Sequence, residues 1–188
     1  RLLGPAAEAA MHMTQAPGTK VETISTNGFV MAVRRRDHAS DAFLGLAGGR
    51  LHLYVHGWVE PLEEKPSSLW QLREDKRLPT DLLDDPAVPS RLTGSFHIVA
   101  YDADARKLVA IVDRLASRAI FYYQDSRYLV LSSDIRASLG IPGADCSVDM
   151  EGLAQFVRIQ TVLGDRTLYR WIRTLPPGAV LRVALQEP

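Results

Sequence analysis

The chain has 188 residues, 46% of them hydrophobic and 23% charged, enough to bury one large core or two small ones. Lysine plus arginine and aspartate plus glutamate number 22 each, and a net charge of zero argues against general affinity for nucleic acid or an anionic membrane surface. No apolar stretch approaches the roughly 18 residues that span a bilayer. The single cysteine, Cys146, cannot form an internal disulfide, so the expected compartment is the reducing cytoplasm.

Residues 2–13 read as a short helix stopped by Pro17-Gly18. Its apolar run is broken by Pro5, Glu8 and His12, so it is not read as a secretory signal. A chain that opens on Arg1 without Met is expected to have residues ahead of it. Strands are predicted over 21–25, 29–33, 42–46 and 51–59, with Asn27-Gly28 and Gly48-Gly49 as turns, which makes the front section a β-meander. Residues 61–90 contain Pro61, Pro66, Pro79, Pro86 and Pro89 and are expected to be mainly surface loop with short helical turns, pinned by Leu69 and Trp70.

The next stretch alternates strongly. Strands are predicted over 95–101, 107–112, 119–123 and 128–132, followed by a brief helix over 134–139. Asp149 is read as the N-cap of a helix over 150–158. A closing hairpin is expected from 167–174 and 179–183 around Pro176-Pro177-Gly178.

Residue by residue, catalytic signals are weak. There is no glycine-rich phosphate loop and no Cys/His cluster with metal-ligand spacing. His52 and His56 share a strand face but stand ~13 Å apart at 3.3 Å per residue, too far to share a metal. Cys146 has no local base and is read as an incidental thiol. In the run Arg34-Arg35-Arg36, alternation lets at most two side chains converge on one anion, and a solvated edge is an equal reading. Asp113-Arg114, closing an apolar strand, is read as structural, orienting the turn that follows.

Several segments, in order, form a familiar series: Gly94-Ser95-Phe96 into Ala100-Tyr101-Asp102, Leu108-Val109-Ala110-Ile111-Val112-Asp113-Arg114, Ile120-Phe121-Tyr122-Tyr123, and Leu131-Ser132-Ser133-Asp134. Arg166-Thr167-Leu168-Tyr169 and Ile172-Arg173-Thr174-Leu175-Pro176-Pro177-Gly178 complete it. This series, over residues 92–183, resembles the N-terminal glutamine amidotransferase domain of asparagine synthetases. The resemblance implies an α+β, Ntn-hydrolase-like αββα sandwich of two stacked antiparallel sheets over residues 1–183, with 184–188 opening a linker to a C-terminal synthetase domain outside this chain. In active members an N-terminal cysteine attacks the side-chain amide of glutamine, with its own α-amino group as base, and ammonia passes to the ATP-dependent synthetase.

The front half departs from that pattern. No cysteine lies near Arg1 and the usual opening Cys-Gly-Ile strand is not visible. The resemblance places Arg34 or Arg35 at the arginine that holds the glutamine carboxylate, and His56-Gly57-Trp58 at an Asn-Gly-Glu segment that supplies oxyanion and substrate contacts. Gly57 is kept, whereas the amide donor and the carboxylate are not; loss of an oxyanion donor costs roughly 3 kcal/mol in the barrier. Trp58 is expected to fill the pocket, Asp81 is a weak match to an acidic substrate contact, and Ala116 and Ala119 replace a Gly and a Pro.

Together these point to a domain that has lost glutaminase activity, similar to those of β-lactam synthetases and lasso-peptide cyclases. No cofactor or metal is expected in this domain, with ATP and Mg assigned to the synthetase. The expected partners are that synthetase domain or subunit, a second copy of the chain, and a peptide or small-molecule substrate. The alternative is an active glutaminase whose Cys precedes Arg1 and in which His56 donates to the oxyanion.

Overall fold

The computed structural model describes residues 19–26, 29–36, 42–46, 49–61, 78–126, 129–141 and 143–185. The predicted helix at 2–13, the turn Asn27-Gly28, and Leu69 and Trp70 lie outside the described residues. Strands β1 (Thr19–Thr26) and β2 (Phe29–Arg36) form a two-stranded sheet. They do not continue into β3 (Ala42–Leu46) and β4 (Leu51–Pro61), which belong to another sheet, so the predicted single meander divides in two. The chain falls into two compact units, and β1 and β2, apart from Thr26 and Phe29, belong to the smaller.

The larger unit is built on a five-stranded sheet. To β3 and β4 it adds β5 (Leu92–Asp102), β6 (Lys107–Val112) and β10 (Val180–Ala184), in the order β10-β6-β5-β4-β3, every pairing antiparallel. Register follows the two-residue alternation of side chains: Leu53 pairs with Ala100 and Val55 with Ile98, which in turn meet Val109 and Ile111. These residues, with Phe96 and Val59, form a core covered by Leu82 and Leu83 of helix α1 (Leu78–Asp84). Arg182 fastens that helix by donating from Nη1 to the carbonyls of Leu82 and Leu83 at 2.9 and 2.7 Å, a cation where the helix dipole is negative.

Helix α1 is one of the short helical turns expected within 61–90. Pro79 sits in its first turn, where no N–H is needed, so proline starts this helix instead of breaking it.

The smaller unit carries a three-stranded antiparallel sheet, β8 (Leu129–Ser132), β7 (Phe121–Gln124) and β9 (Ile172–Thr174), in the order β8-β7-β9. Tyr123, Ile141 and Ile172 form its core, with Phe121, Val130 and Leu139 packed against them. Helix α2 (Ile135–Leu139) is capped by Asp134, and α3 (Met150–Ile159) by Asp149, whose side chain accepts from the amides of Glu151 and Gly152. The Gly152 amide above all, with Arg166 at 2.8 Å and the Glu151 amide, keeps the Asp149 carboxyl below the usual carboxylate range despite its burial.

The predicted closing hairpin does not form. β9 pairs with β7 and β10 pairs with β6, because Pro176-Pro177-Gly178 leads the chain from one sheet to another. The class is α+β as expected, with antiparallel sheets and few helices. No helix among the described residues is long and apolar enough to cross a membrane.

Candidate functional site

The face of β4 opposite the core carries His52, Tyr54, His56 and Trp58, by strict alternation with Leu53, Val55 and Val59. The antiparallel register sets His56 directly across from His97 of β5, and Trp58 across from Ser95. The two imidazoles meet edge to face with centroids 4.8 Å apart, and Tyr54 lies 5.8 Å from His97. Along the strand His52 and His56 share a face but stand too far apart to act together, as the sequence implies. The pair that forms is cross-strand, which only the register could reveal.

The turn after β6 completes the cluster. Asp113, buried at its base, accepts from the amides of Phe96 at 3.1 Å and Leu115 at 2.9 Å, and from both the amide and the hydroxyl of Ser117. Its backbone carbonyl accepts from Ala116 and Gly178. Burial pushes the Asp113 carboxyl up, but the Ser117 hydroxyl and the three amides outweigh it and hold the group below its ordinary range. The expected structural role is therefore carried by hydrogen bonds to the turn's own amides. Ala116 takes a left-handed φ of 49°, a conformation that residues with a side chain adopt uncommonly.

This turn delivers Arg118 to β4. Its Nε donates to the carbonyl of Ser95 at 3.2 Å, and its Nη1 lies 2.7 Å from Nε2 of His56. A guanidinium can only donate, so His56 Nε2 accepts and the neutral ring carries its proton on Nδ1. Gly57 makes the approach possible. Its φ is +100°, and a Cβ built there would stand 2.0 Å from the Ser95 carbonyl oxygen and 2.5 Å from Arg118 Nε.

Burial dominates the titration of His97, which is only 2% exposed, and the neighbouring His56 adds to it. The Arg118 carbonyl pulls the other way, yet the net effect pushes His97 down to about 4. The unfolded chain, with an ordinary histidine near 6.5, therefore binds a proton that the folded chain refuses between about pH 6.5 and 4. Stability is lost as pH falls through that window, by up to about 3 kcal/mol from this group. Urea unfolding of the wild type and of His97→Gln at the two ends of the window should show a smaller acid loss in the variant. Equal losses would remove His97 as the cause.

The other expected positions are placed as follows. Arg34 and Arg35 lie in β2, and their side chains are outside the described residues. Trp58 does not fill a pocket: it is 50% exposed, because its strand position turns the ring outward at the end of the histidine face. Asp81 is exposed on α1, which packs on the core face of the sheet, opposite His56, so the fold does not bring the two together. Cys146 is an exposed thiol among loop carbonyls. No group of three or more His, Cys, Asp or Glu among the described residues could hold a metal ion.

Sequence reasoning missed His97 and Arg118. Each lies between the quoted motif segments, and only the fold joins them to His56. Chemically, the cluster among the described residues offers one guanidinium, two imidazoles, a glycine backbone and the hydroxyls of Ser95 and Ser117, with no thiol. A model of the family described as a glutamine amidotransferase domain matches residues 85–187, more than half of the chain. No curated protein matches the sequence.

Proposed function

The chain belongs to the glutamine amidotransferase domain family, and from that premise we propose that it is a member which no longer hydrolyses glutamine. It serves instead as the non-catalytic domain of an asparagine-synthetase-like enzyme that forms amides or lactams with ATP, in peptide macrocyclisation or other natural-product biosynthesis. The observation that carries this reading is the state of His56. At the position the resemblance assigns to an oxyanion-hole amide stands a ring whose Nε2 is an acceptor engaged by Arg118. An oxyanion needs a donor aimed at it, and a lone pair there repels developing negative charge.

The active alternative requires His56 to present a ring N–H. With Nε2 accepting, the proton is on Nδ1, and that atom is buried. This disfavours the alternative.

A partner-supporting role draws on the smaller unit. Helix α3 leaves Met150, Phe156, Val157 and Ile159 exposed, with Leu163 and Val148 beside its ends. Large apolar side chains gathered on one element suit burial against another protein surface, and the synthetase domain is the partner this reading assigns to them.

The test is glutamine hydrolysis by the protein as expressed from its own gene, with intact mass and N-terminal sequencing of the same sample. We expect no ammonia. Ammonia release that disappears on alkylation of an N-terminal cysteine would establish the active alternative and overturn the proposal.

A further inference from the structure

Two donors cannot share one hydrogen bond. Arg118 Nη1 stands 2.7 Å from His56 Nε2, and a guanidinium has no lone pair to offer and does not give up its charge. The contact therefore exists only while His56 is neutral and Nε2 keeps its lone pair. A proton on Nε2 would set an imidazolium N–H against a guanidinium N–H, with two positive charges at hydrogen-bond distance. His56 is half-buried, so protons reach it, whereas His97 across from it is fully buried and stays neutral down to about 4. From the larger unit the ring is faced by Tyr54 along β4, by His97 of β5 and by Arg118. The carboxylate of the turn, Asp113, is held by the amides of Phe96, Leu115 and Ser117 and by the Ser117 hydroxyl, bonds in which Arg118 takes no part. The turn can keep its shape while the Arg118 side chain leaves.

We infer that His56 and Arg118 form an acid-sensitive latch, in which neutral His56 seats the guanidinium beside Gly57 and protonated His56 releases it. The seat is built into β4, because a Cβ on residue 57 would stand 2.5 Å from Arg118 Nε. The Arg118 side chain is the element with two positions. Its release also breaks the Nε bond to the Ser95 carbonyl and uncovers the strand backbone at the Trp58 end of the histidine face. By linkage, seated Arg118 lowers the proton affinity of His56 by the same factor with which protonation weakens the seat. The inference rests on this contact alone and stands whether or not glutamine is hydrolysed.

The test is a pH titration of the full chain by NMR, following the ring nitrogens of His56 and His97 and the Nε–H of Arg118. His56→Gln and Arg118→Gln proteins assign the signals. As pH falls, the Arg118 Nε–H is expected to lose its Overhauser contacts to Gly57 and take the shift of a solvated arginine, at the midpoint at which His56 gains its proton. The amide signals of β6 should keep their folded positions through that step, which separates release from unfolding. Arg118→Gln should raise the proton affinity of His56 by about fivefold or more, because a carboxamide can turn its oxygen to the protonated ring. Three results would each overturn the inference: Arg118 still seated beside protonated His56, an unchanged His56 affinity in a folded Arg118→Gln protein, or unfolding before His56 titrates. The first comparison uses the wild type, so a variant that fails to fold does not remove the test.

Discussion

Replacing Asp113 by Ala is expected to cost roughly 3–5 kcal/mol of folding stability. The carboxylate is buried and takes three backbone amides and one hydroxyl. Each bond to a charged acceptor is worth about 1.5–3 kcal/mol, but the values do not add, because Leu115 and Ser117 are exposed and water can replace their partner. The Phe96 amide lies in the buried part of β5 and stays unsatisfied. Asp113→Asn should fall between, near 2 kcal/mol, since an amide keeps one acceptor but turns a donor towards other donors.

The pH dependence of this term has a definite sign. The folded carboxyl is held below its unfolded range, so its contribution is present above about pH 4 and is lost as the solution is acidified below that. Urea midpoints of the three proteins at neutral pH test the ranking. A loss under about 1 kcal/mol for Asp113→Ala would mean that the turn survives without its acceptor.

The second large effect is expected at Gly57. An alanine there meets two separate penalties: a φ of +100°, which L-residues avoid, and a Cβ 2.0 Å from the Ser95 carbonyl oxygen. Arg118 can swing aside, whereas the Ser95 carbonyl is part of β5, and moving it disturbs the pairings of His56 with His97 and of Trp58 with Ser95. We expect Gly57→Ala to lose about 4 kcal/mol or to fail to accumulate as folded protein. Gly49→Ala separates the penalties, because Gly49 has a φ of +91° but nothing within 4 Å of its would-be Cβ. It should lose only the conformational share, about 1–2 kcal/mol. Similar losses at both sites, read from thermal or urea unfolding, would show that the close approach at Gly57 is unimportant.

What local sequence determined here is what local physics can decide. The apolar run Leu108-Val109-Ala110-Ile111-Val112 reads as a strand, and it forms one, every residue of the run buried. Asp149 ahead of an amphipathic stretch had to cap a helix, since its carboxylate satisfies amides that otherwise lack partners. The ordered motif segments over 92–183 fall wholly within the stretch that matches the family.

Tertiary structure alone decided the rest, wherever the answer depended on residues far apart in the chain. Turn chemistry at Pro176-Pro177-Gly178 says that the chain bends, but not which strand edge is free to receive it, and β10 found β6 in place of β9. Proline content at 61–90 reads as loop with short helical turns, but which turn becomes a helix depends on the sheet face that Leu82 and Leu83 cover. His56 and Arg118 lie 62 positions apart, and no periodicity links them. Their contact exists because Asp113 folds a turn at one sheet end while Gly57 leaves room for a guanidinium at its neighbour. The strands were local properties; the site is a property of register.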